Sequence, residues 1–209
     1  MKRNLLLFPL LVWLLAACTE KEKIRIACIG DSITYGENIP DREHDSYPAQ
    51  LQNLLGEAYD VRNFGVSART LLRKGDFPYF DESAFRQARD FKPDIVVIKL
   101  GTNDSREHNW QHKADFRQDL SDLADSFPTS DVYFCRPVPL YEDRWGLRGE
   151  VITGEIVPLI EAVAAAKGIE VIDLYTPLSG HEELFPDKVH PNAEGAHIMA
   201  ETIAGAIRK

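Results

Sequence analysis

The stretch Asp94-Ile95-Val96-Val97-Ile98-Lys99-Leu100 decides the fold, because it is apolar at almost every position rather than at every second one. A strand of this kind is typical of a parallel sheet that is covered by helices on both faces. Other short β-rich runs are spaced along the chain. The predicted strands span residues 24–29, 59–63, 94–100, 131–136 and 170–174.

Amphipathic segments fill the gaps between these strands. The predicted helices span residues 46–55, 82–91, 114–126, 151–167 and 192–207. Gly168 stands where a helix C-cap belongs, and Pro158 either kinks the fourth helix or marks its beginning. This βα alternation predicts a single α/β domain over residues 24–209, with an open, right-handed, doubly wound parallel sheet. In such a sheet, ligands bind beyond the carboxyl ends of the strands.

The amino-acid composition indicates a globular protein and argues against nucleic-acid binding. The chain has 209 residues, of which 44% are hydrophobic and 27% are charged, as expected of a globular protein rather than a disordered one. Its 24 Lys and Arg residues against 33 Asp and Glu residues give a formal net charge of −9. A nucleic-acid partner is therefore not expected, because such proteins need a basic patch to displace counterions from phosphates.

The N-terminus reads as an export signal. A basic start at Lys2 and Arg3 is followed by a short apolar stretch and then by Leu15-Ala16-Ala17-Cys18, which resembles the lipobox of bacterial lipoproteins. That resemblance implies a signal peptide over residues 1–17 and a lipidated Cys18, with residues 18–23 as a charged tether. The alternative is an ordinary secretory signal with an incidental cysteine. We expect an exported protein that is lipid-anchored to the bacterial cell envelope and has no other membrane contact.

Two polar motifs directly follow predicted strands. Gly30-Asp31-Ser32 follows the first strand, and Gly101-Thr102-Asn103-Asp104 follows the third. The Ser32 hydroxyl is a potential nucleophile, and the neutral Asn103 amide can donate hydrogen bonds to a developing oxyanion. Each motif alone is equally well explained as a turn, because these residue types are common in turns.

Two further segments are expected at the same edge of the sheet. Gly65 follows the second predicted strand, and a glycine there lets a backbone N–H approach a ligand. Asp187 lies three residues before His190, a spacing that lets the carboxylate hold the imidazole Nδ1–H while Nε2 takes a proton from a serine. Alone, this pair is also compatible with a turn and a surface histidine. Together, the four segments favour a serine hydrolase site.

In this order the four blocks resemble those of the SGNH hydrolases, also called the GDSL esterase/lipase family, over essentially the whole chain from Ile24 onward. The resemblance implies a three-layer α/β/α sandwich with a flavodoxin-like, five-stranded parallel sheet in the order 2-1-3-4-5. It also implies that Ser32 is the nucleophile, that His190 is the base, and that Asp187 orients His190.

The same resemblance implies an oxyanion hole made of the Ser32 and Gly65 backbone N–H groups and the Asn103 side-chain amide. Asp31 and Asp104 are interpreted as supporting residues that organise their loops. No cofactor and no metal are expected, and the remaining histidines lack metal-ligand spacing. No protein partner is implied.

The implied strand order also bears on the cysteines. Cys28 falls on the first strand and Cys135 on the fourth, with the third strand between them. Strands two places apart lie about 9.5 Å from each other, whereas a disulfide needs Cα atoms within about 7 Å. Both cysteines are therefore expected to be free and buried.

The resemblance also implies that the substrate is a carbohydrate ester. Segments 63–78 and 99–104 look like the carbohydrate O-acetylesterase branch of the family, with sialate and acetylxylan esterases among its activities. Aromatic and cationic loop residues are candidates for binding a sugar: Tyr35, Arg69, Trp110, Arg136 and Trp145. The tryptophans could equally cap hydrophobic loop edges. The alternatives are a lysophospholipase or thioesterase of the same fold, and a glycan-binding lipoprotein without turnover.

Overall fold

The computed structural model describes residues 22–208, which form one parallel sheet with helices on both faces. The strands are β1 (Ile24–Gly30), β2 (Tyr59–Gly65), β3 (Ile95–Lys99), β4 (Asp131–Arg136) and β5 (Glu170–Asp173). All neighbouring strands pair in parallel, and their order across the sheet is β2-β1-β3-β4-β5. The predicted fold class and strand order are confirmed.

Helices follow the strands as the sequence pattern predicts. In the described part of the chain the α-helical segments are α1 (Ser32–Tyr35), α2 (Arg42–Asp45), α3 (Tyr47–Leu55), α4 (Ser83–Asp90), α5 (Glu107–Trp110), α6 (Phe116–Asp125), α7 (Gly149–Val151), α8 (Val157–Lys167) and α9 (Ala193–Ile207). The predicted helix 151–167 is interrupted by a π-helical segment at Ile152–Ile156. Pro158 comes just after this segment, where the regular α-helical hydrogen-bonding pattern is already interrupted.

Alternate residues of the central strands enter two separate cores. Ile29 of β1 and Val96 of β3 pack with α4, α6 and α8 on one face of the sheet. Cys28 and Val97, their neighbours in sequence, pack with α3 and α9 on the other face. Burial on both faces explains why β3 is apolar throughout. Both β1 and β3 therefore lie in the middle of the sandwich, and the loops that follow them are held on a rigid base.

The two cysteines are free and buried, as expected. Burial raises the pKa of the Cys28 thiol to about 12 and raises that of Cys135 as well. Thiols of this kind are poor nucleophiles, because the thiolate is the reactive form.

The predicted signal peptide and lipidation site lie outside the described residues. These are residues 1–17 and Cys18. Between residues 22 and 208, the structure has no helix with the length and apolar character needed to span a membrane. The membrane anchor therefore stays a prediction.

Candidate active site

Ser32 lies directly beyond the end of β1, at the first residue of the one-turn helix α1. Asp31 caps this helix, because its Oδ1 accepts a hydrogen bond of 3.0 Å from the Ile33 N–H. The cap fixes the backbone on both sides of Ser32. The serine side chain is thereby directed into a cleft at the carboxyl edge of the sheet.

Asp31 also forms a buried ion pair with Lys99, the last residue of β3. The Lys99 Nζ lies 3.1 and 3.0 Å from the two carboxylate oxygens and 2.8 Å from the Thr102 hydroxyl. Both charged side chains are fully buried. Burial lowers the pKa of Lys99, while the neighbouring Asp31 opposes that shift. This pair was not singled out from the sequence, where Lys99 is only one charge in an apolar strand.

The structure brings Ser32, His190 and Asp187 into one hydrogen-bonded chain. The His190 Nε2 lies 2.8 Å from the Ser32 Oγ, and its Nδ1 lies 2.7 Å from the Asp187 Oδ2. The other oxygen, Oδ1, accepts the backbone N–H groups of Val189 and His190 at 2.9 and 2.7 Å. This turn explains the three-residue spacing between the carboxylate and the imidazole.

Hydrogen bonds keep the Asp187 carboxyl group ionised. Partial burial by itself would raise the pKa of this carboxyl, but the hydrogen bonds from His190 and Val189 outweigh burial and lower it. Asp187 is therefore a carboxylate at neutral pH, where it holds the imidazole Nδ1–H and leaves Nε2 facing Ser32. Such an arrangement can remove the proton from a serine hydroxyl as the oxygen attacks a carbonyl carbon.

Asn103 reaches the same cleft from the loop after β3. Gly101, two residues earlier, has a φ of +114°, a conformation that favours glycine. The Asn103 Nδ2 donates one hydrogen bond of 3.1 Å to the Arg69 carbonyl. Its second N–H is left for a group in the cleft that Asn103 lines beside Ser32 and His190.

Asp104, in the loop after β3, binds the loop that follows β2. Its carboxylate accepts the backbone N–H groups of Leu71 and Leu72 at 3.0 and 2.8 Å. Complete burial raises the pKa of Asp104 to about 7, although these two hydrogen bonds oppose the shift. The contacts place Asp104 as an organiser of the loop after β2, not of the reacting groups.

Gly65 is not available as an oxyanion donor, in contrast to the expectation. Its N–H donates to the Asn63 Oδ1 at 2.9 Å, and its Cα lies so close to α1 that an added Cβ would be 2.3 Å from the Tyr35 nitrogen. Three residues further on, Ala68 lines the cleft. Its φ is +68°, and its N–H donates to no group within residues 22–208. No sequence signal marks Ala68, because alanine rarely takes a positive φ.

The cleft has a volume of about 320 Å³ and contains one of the predicted sugar-binding residues. Trp145 is 56% exposed, and its ring centroid lies 5.9 Å from that of His190. The Arg106 Nε donates to the Trp145 carbonyl at 3.2 Å and so ties the loop to the cleft wall. The lining residues that the sequence did not reveal include Glu37, Asn38, Arg106 and Leu147.

The other predicted sugar-binding residues do not line the cleft. Trp110 is buried against Phe116 and bonds Glu155, so it belongs to the core. Arg136 forms ion pairs with Glu161 and Asp173. The Tyr35 ring is covered by the Arg42 guanidinium, and the Arg69 guanidinium pairs with Glu82. Each of these side chains is engaged within the protein, which the loop sequence could not indicate.

Within residues 22–208, no group of three or more His, Cys, Asp or Glu side chains has a geometry that could hold a metal ion. The model of the GDSL-like lipase/acylhydrolase family matches residues 28–198. The chain belongs to this family.

Two relatives are esterases. The chain is 45% identical to an acetylxylan esterase of Xylanibacter ruminicola, over 94% of this chain and 46% of that protein. It is 26% identical to a multidomain esterase of Ruminococcus flavefaciens, over 85% of this chain and 28% of that protein. The chain thus spans less than half the length of these family members.

Solved structures share the fold of this GDSL-family chain. A carbohydrate acetylesterase from Sinorhizobium meliloti superposes with a TM-score of 0.70 at 21% identity, covering 89% of this chain and 99% of its own. A putative arylesterase from Agrobacterium tumefaciens gives a TM-score of 0.72 at 21% identity, covering 88% and 98%. At this level of identity the likeness establishes the architecture, and function has to be argued from the site.

Proposed function

We propose that this chain is a serine esterase that removes O-acetyl groups from a carbohydrate through an acyl-enzyme on Ser32. The observation that carries the proposal is the hydrogen-bonded chain from Ser32 through His190 to Asp187. A histidine held by a carboxylate and aimed at a serine hydroxyl is the arrangement that activates serine as a nucleophile.

The reaction follows from this geometry. The Ser32 Oγ attacks the acetyl carbonyl carbon while the His190 Nε2 takes its proton. The tetrahedral oxyanion is stabilised by the Ser32 and Ala68 backbone N–H groups and by the free N–H of Asn103. His190 then gives the proton to the sugar oxygen, and the C–O bond to the sugar breaks. Water, deprotonated by His190, hydrolyses the acetyl-serine, releases acetate and restores the hydroxyl.

The cleft favours a short acyl group on a polar molecule. Its volume is about 320 Å³, and polar side chains such as Glu37 and Asn38 share its lining with short apolar stretches at Leu147 and Val189. A long acyl chain would need an extended apolar groove. The relative from Xylanibacter ruminicola, an acetylxylan esterase, directs the proposal to acetylated xylan ahead of O-acetyl sialosides.

The test is acetate release from three substrates: acetylated xylan, a 9-O-acetyl sialoside and acetylated chitooligosaccharides. We expect release from xylan, abolished by Ser32→Ala, which removes the nucleophile but leaves the cleft. Unchanged release by Ser32→Ala would contradict the mechanism. Glycan binding without any release would support a non-catalytic binding protein instead.

A second assay addresses the lysophospholipase and thioesterase alternatives. Rates on 4-nitrophenyl acetate, butyrate and decanoate report the length of acyl chain that the cleft accepts. We expect a steep fall beyond acetate. A rate on the decanoate equal to that on the acetate would favour the lipase-type activity.

We further propose that the protein is exported and anchored to the cell envelope by a lipid on Cys18. The support is the basic start, the short apolar stretch and the Leu15-Ala16-Ala17-Cys18 motif. Mass spectrometry of the mature N-terminus tests this directly. We expect a lipid-modified Cys18 as the first residue, and an unmodified N-terminus at any other position would overturn the proposal.

A further inference from the structure

The Asp187 carboxylate accepts a fourth hydrogen bond that the proposed mechanism does not use. Its Oδ2 lies 2.7 Å from the His190 Nδ1 and also 2.7 Å from the Asn38 Nδ2. Asn38 comes from the loop after α1, 149 residues away in the chain. The loop that follows the nucleophile is thus bonded to the loop that carries the base.

The backbone at Asn38 suits this contact. Its φ is +64°, in the left-handed region, which asparagine enters more readily than most residues. Asn38 lines the cleft, whereas the Asp187 side chain behind it is only 20% exposed. Without the amide, the outer side of Oδ2 would face solvent and His190 would be its one protein donor.

We propose that Asn38 is a positioning residue that fixes the Asp187 carboxylate and through it sets the orientation and basicity of His190. The inference rests on the proposed serine esterase function. A neutral donor on Oδ2 withdraws negative charge from the same oxygen that holds the imidazole. When that donor is removed, Oδ2 becomes a stronger acceptor for the imidazole N–H, and the imidazolium form of His190 is favoured.

Several other charged groups lie beside the Asp187–His190 turn or line the cleft with His190, and they remain in place when Asn38 is changed. Arg144 donates to the Asp187 carbonyl at 3.3 Å, and Lys188 pairs with Glu182 beside the turn. Glu37 and Arg106 lie across the cleft. Variants that change Asn38 alone therefore report its own contribution.

The variants are Asn38→Gly and Asn38→Asp. Glycine accepts the positive φ, so Asn38→Gly removes the donor without backbone strain. Lys92→Gly is the matched control, because Lys92 also has a positive φ, of 50°, is exposed, and lies before β3 at the opposite edge of the sheet. All variants are compared by kcat/KM on 4-nitrophenyl acetate as a function of pH.

We expect Asn38→Gly to lower kcat/KM at neutral pH by about tenfold, the usual scale for one hydrogen bond to a charged group. The acid limb of the kcat/KM profile of Asn38→Gly should move to higher pH by about half a pH unit. Asn38→Asp places a second carboxylate beside Asp187 and should move the limb further in the same direction. Lys92→Gly should match the wild type. A fall in rate with an unmoved acid limb would overturn the proposal and leave Asn38 a purely structural residue.

A measurement that needs no turnover separates this inference from the proposed function. The His190 imidazole is titrated by NMR in Ser32→Ala and in Ser32→Ala/Asn38→Gly, with His190→Gln used to assign its signal. An upward shift in the double variant supports the role of Asn38 even if the natural substrate is not a carbohydrate ester. Identical titration curves would refute it, whatever the activity assays show.

Discussion

The floor and the rim of the cleft are built in opposite ways. The floor comprises Asp31, Lys99, Asn103 and Asp104, which are between 0% and 4% exposed. The rim comprises Arg144 and Trp145, and Trp145 is 56% exposed. A buried polar group without a hydrogen-bond partner destabilises the folded protein, so few combinations of side chains can form the floor. The rim is exposed to solvent, where water can pair with polar groups. Its residues can therefore differ between enzymes that act on different substrates.

Hydrogen bonding supports this contrast. Among the described residues, the buried side-chain nitrogen and oxygen atoms that lack a partner are the Arg25 Nε and the Arg136 Nε, neither of which belongs to the floor. Lys99 has three short contacts, and Asp104 receives two backbone N–H groups. Each buried side-chain nitrogen and oxygen atom of the floor therefore has a partner, and the N–H that is left over, on Asn103, faces the cleft. A change to the floor should affect stability or kcat rather than substrate choice.

The largest effect is expected from breaking the buried ion pair. Lys99→Met keeps the length of the side chain but leaves Asp31 charged, buried and without its cation. We expect the free energy of unfolding to fall by about 3–5 kcal/mol, measured by urea denaturation. Lys99→Met/Asp31→Asn should recover part of this loss, because no unpaired charge remains. A single-variant loss below about 1 kcal/mol would show that the floor tolerates an unpaired charge and would remove the contrast with the rim.

The next effect concerns the oxyanion. Asn103→Ala removes the side-chain N–H that faces the cleft, and kcat should fall by about 10² to 10³ while KM changes little. Asn53→Ala, at an exposed position on α3, is the control and should leave kcat unaltered. A raised KM with an unchanged kcat would mean that Asn103 binds the substrate in its ground state, as a rim residue would.

Asp104 makes the floor sensitive to pH. Burial raises its pKa from a usual value of 3.8 to about 7. Between these two pH values the folded state keeps a proton that the unfolded state has lost. This contribution to stability is complete below the unfolded pKa and is lost as pH rises toward the folded pKa, at up to about 1.4 kcal/mol per pH unit. Asp104→Asn does not titrate, so its unfolding free energy, relative to wild type, should rise between pH 5 and pH 7.5.

Two outcomes are distinguishable in that comparison. Taking the difference between Asp104→Asn and wild type cancels the groups that titrate in both proteins. These include Asp187, whose lowered pKa places its loss of stability below about pH 4. A difference that is constant from pH 5 to pH 7.5 would mean that the two backbone N–H groups keep Asp104 ionised and that burial does not dominate.

The sequence predicted the fold and most of the floor for physical reasons. Uniformly apolar strands separated by amphipathic segments have few solutions other than a covered parallel sheet. Ser32, Asn103 and His190 could be found because each follows a strand or precedes a helix in a recognisable block. Lys99 was missed, since a buried lysine is marked only by its partner, which the sequence does not place beside it.

The errors cluster where local sequence carries no information on side-chain direction. The family resemblance implies Gly65 as an oxyanion donor, yet its N–H is bonded to Asn63, and Ala68 lines the cleft instead. Trp110 and Trp145 both occur in polar loops, but one is 4% exposed and the other 56%. The difference depends on long-range packing, which loop composition does not determine.

The smallest effect is expected from a change in the rim, and it tests whether the rim acts only in substrate recognition. Trp145→Ala removes a flat exposed ring that can stack on a sugar, which is worth about 1 kcal/mol, or roughly a fivefold rise in KM on acetylated xylo-oligosaccharides. Trp145→Phe should retain most of the affinity, and neither variant should alter kcat on 4-nitrophenyl acetate. Because the indole also contacts His190, an equal loss on both substrates would show that Trp145 supports the base and acts as part of the floor. A loss confined to the sugar substrate keeps the chemistry in the floor and substrate recognition at the rim.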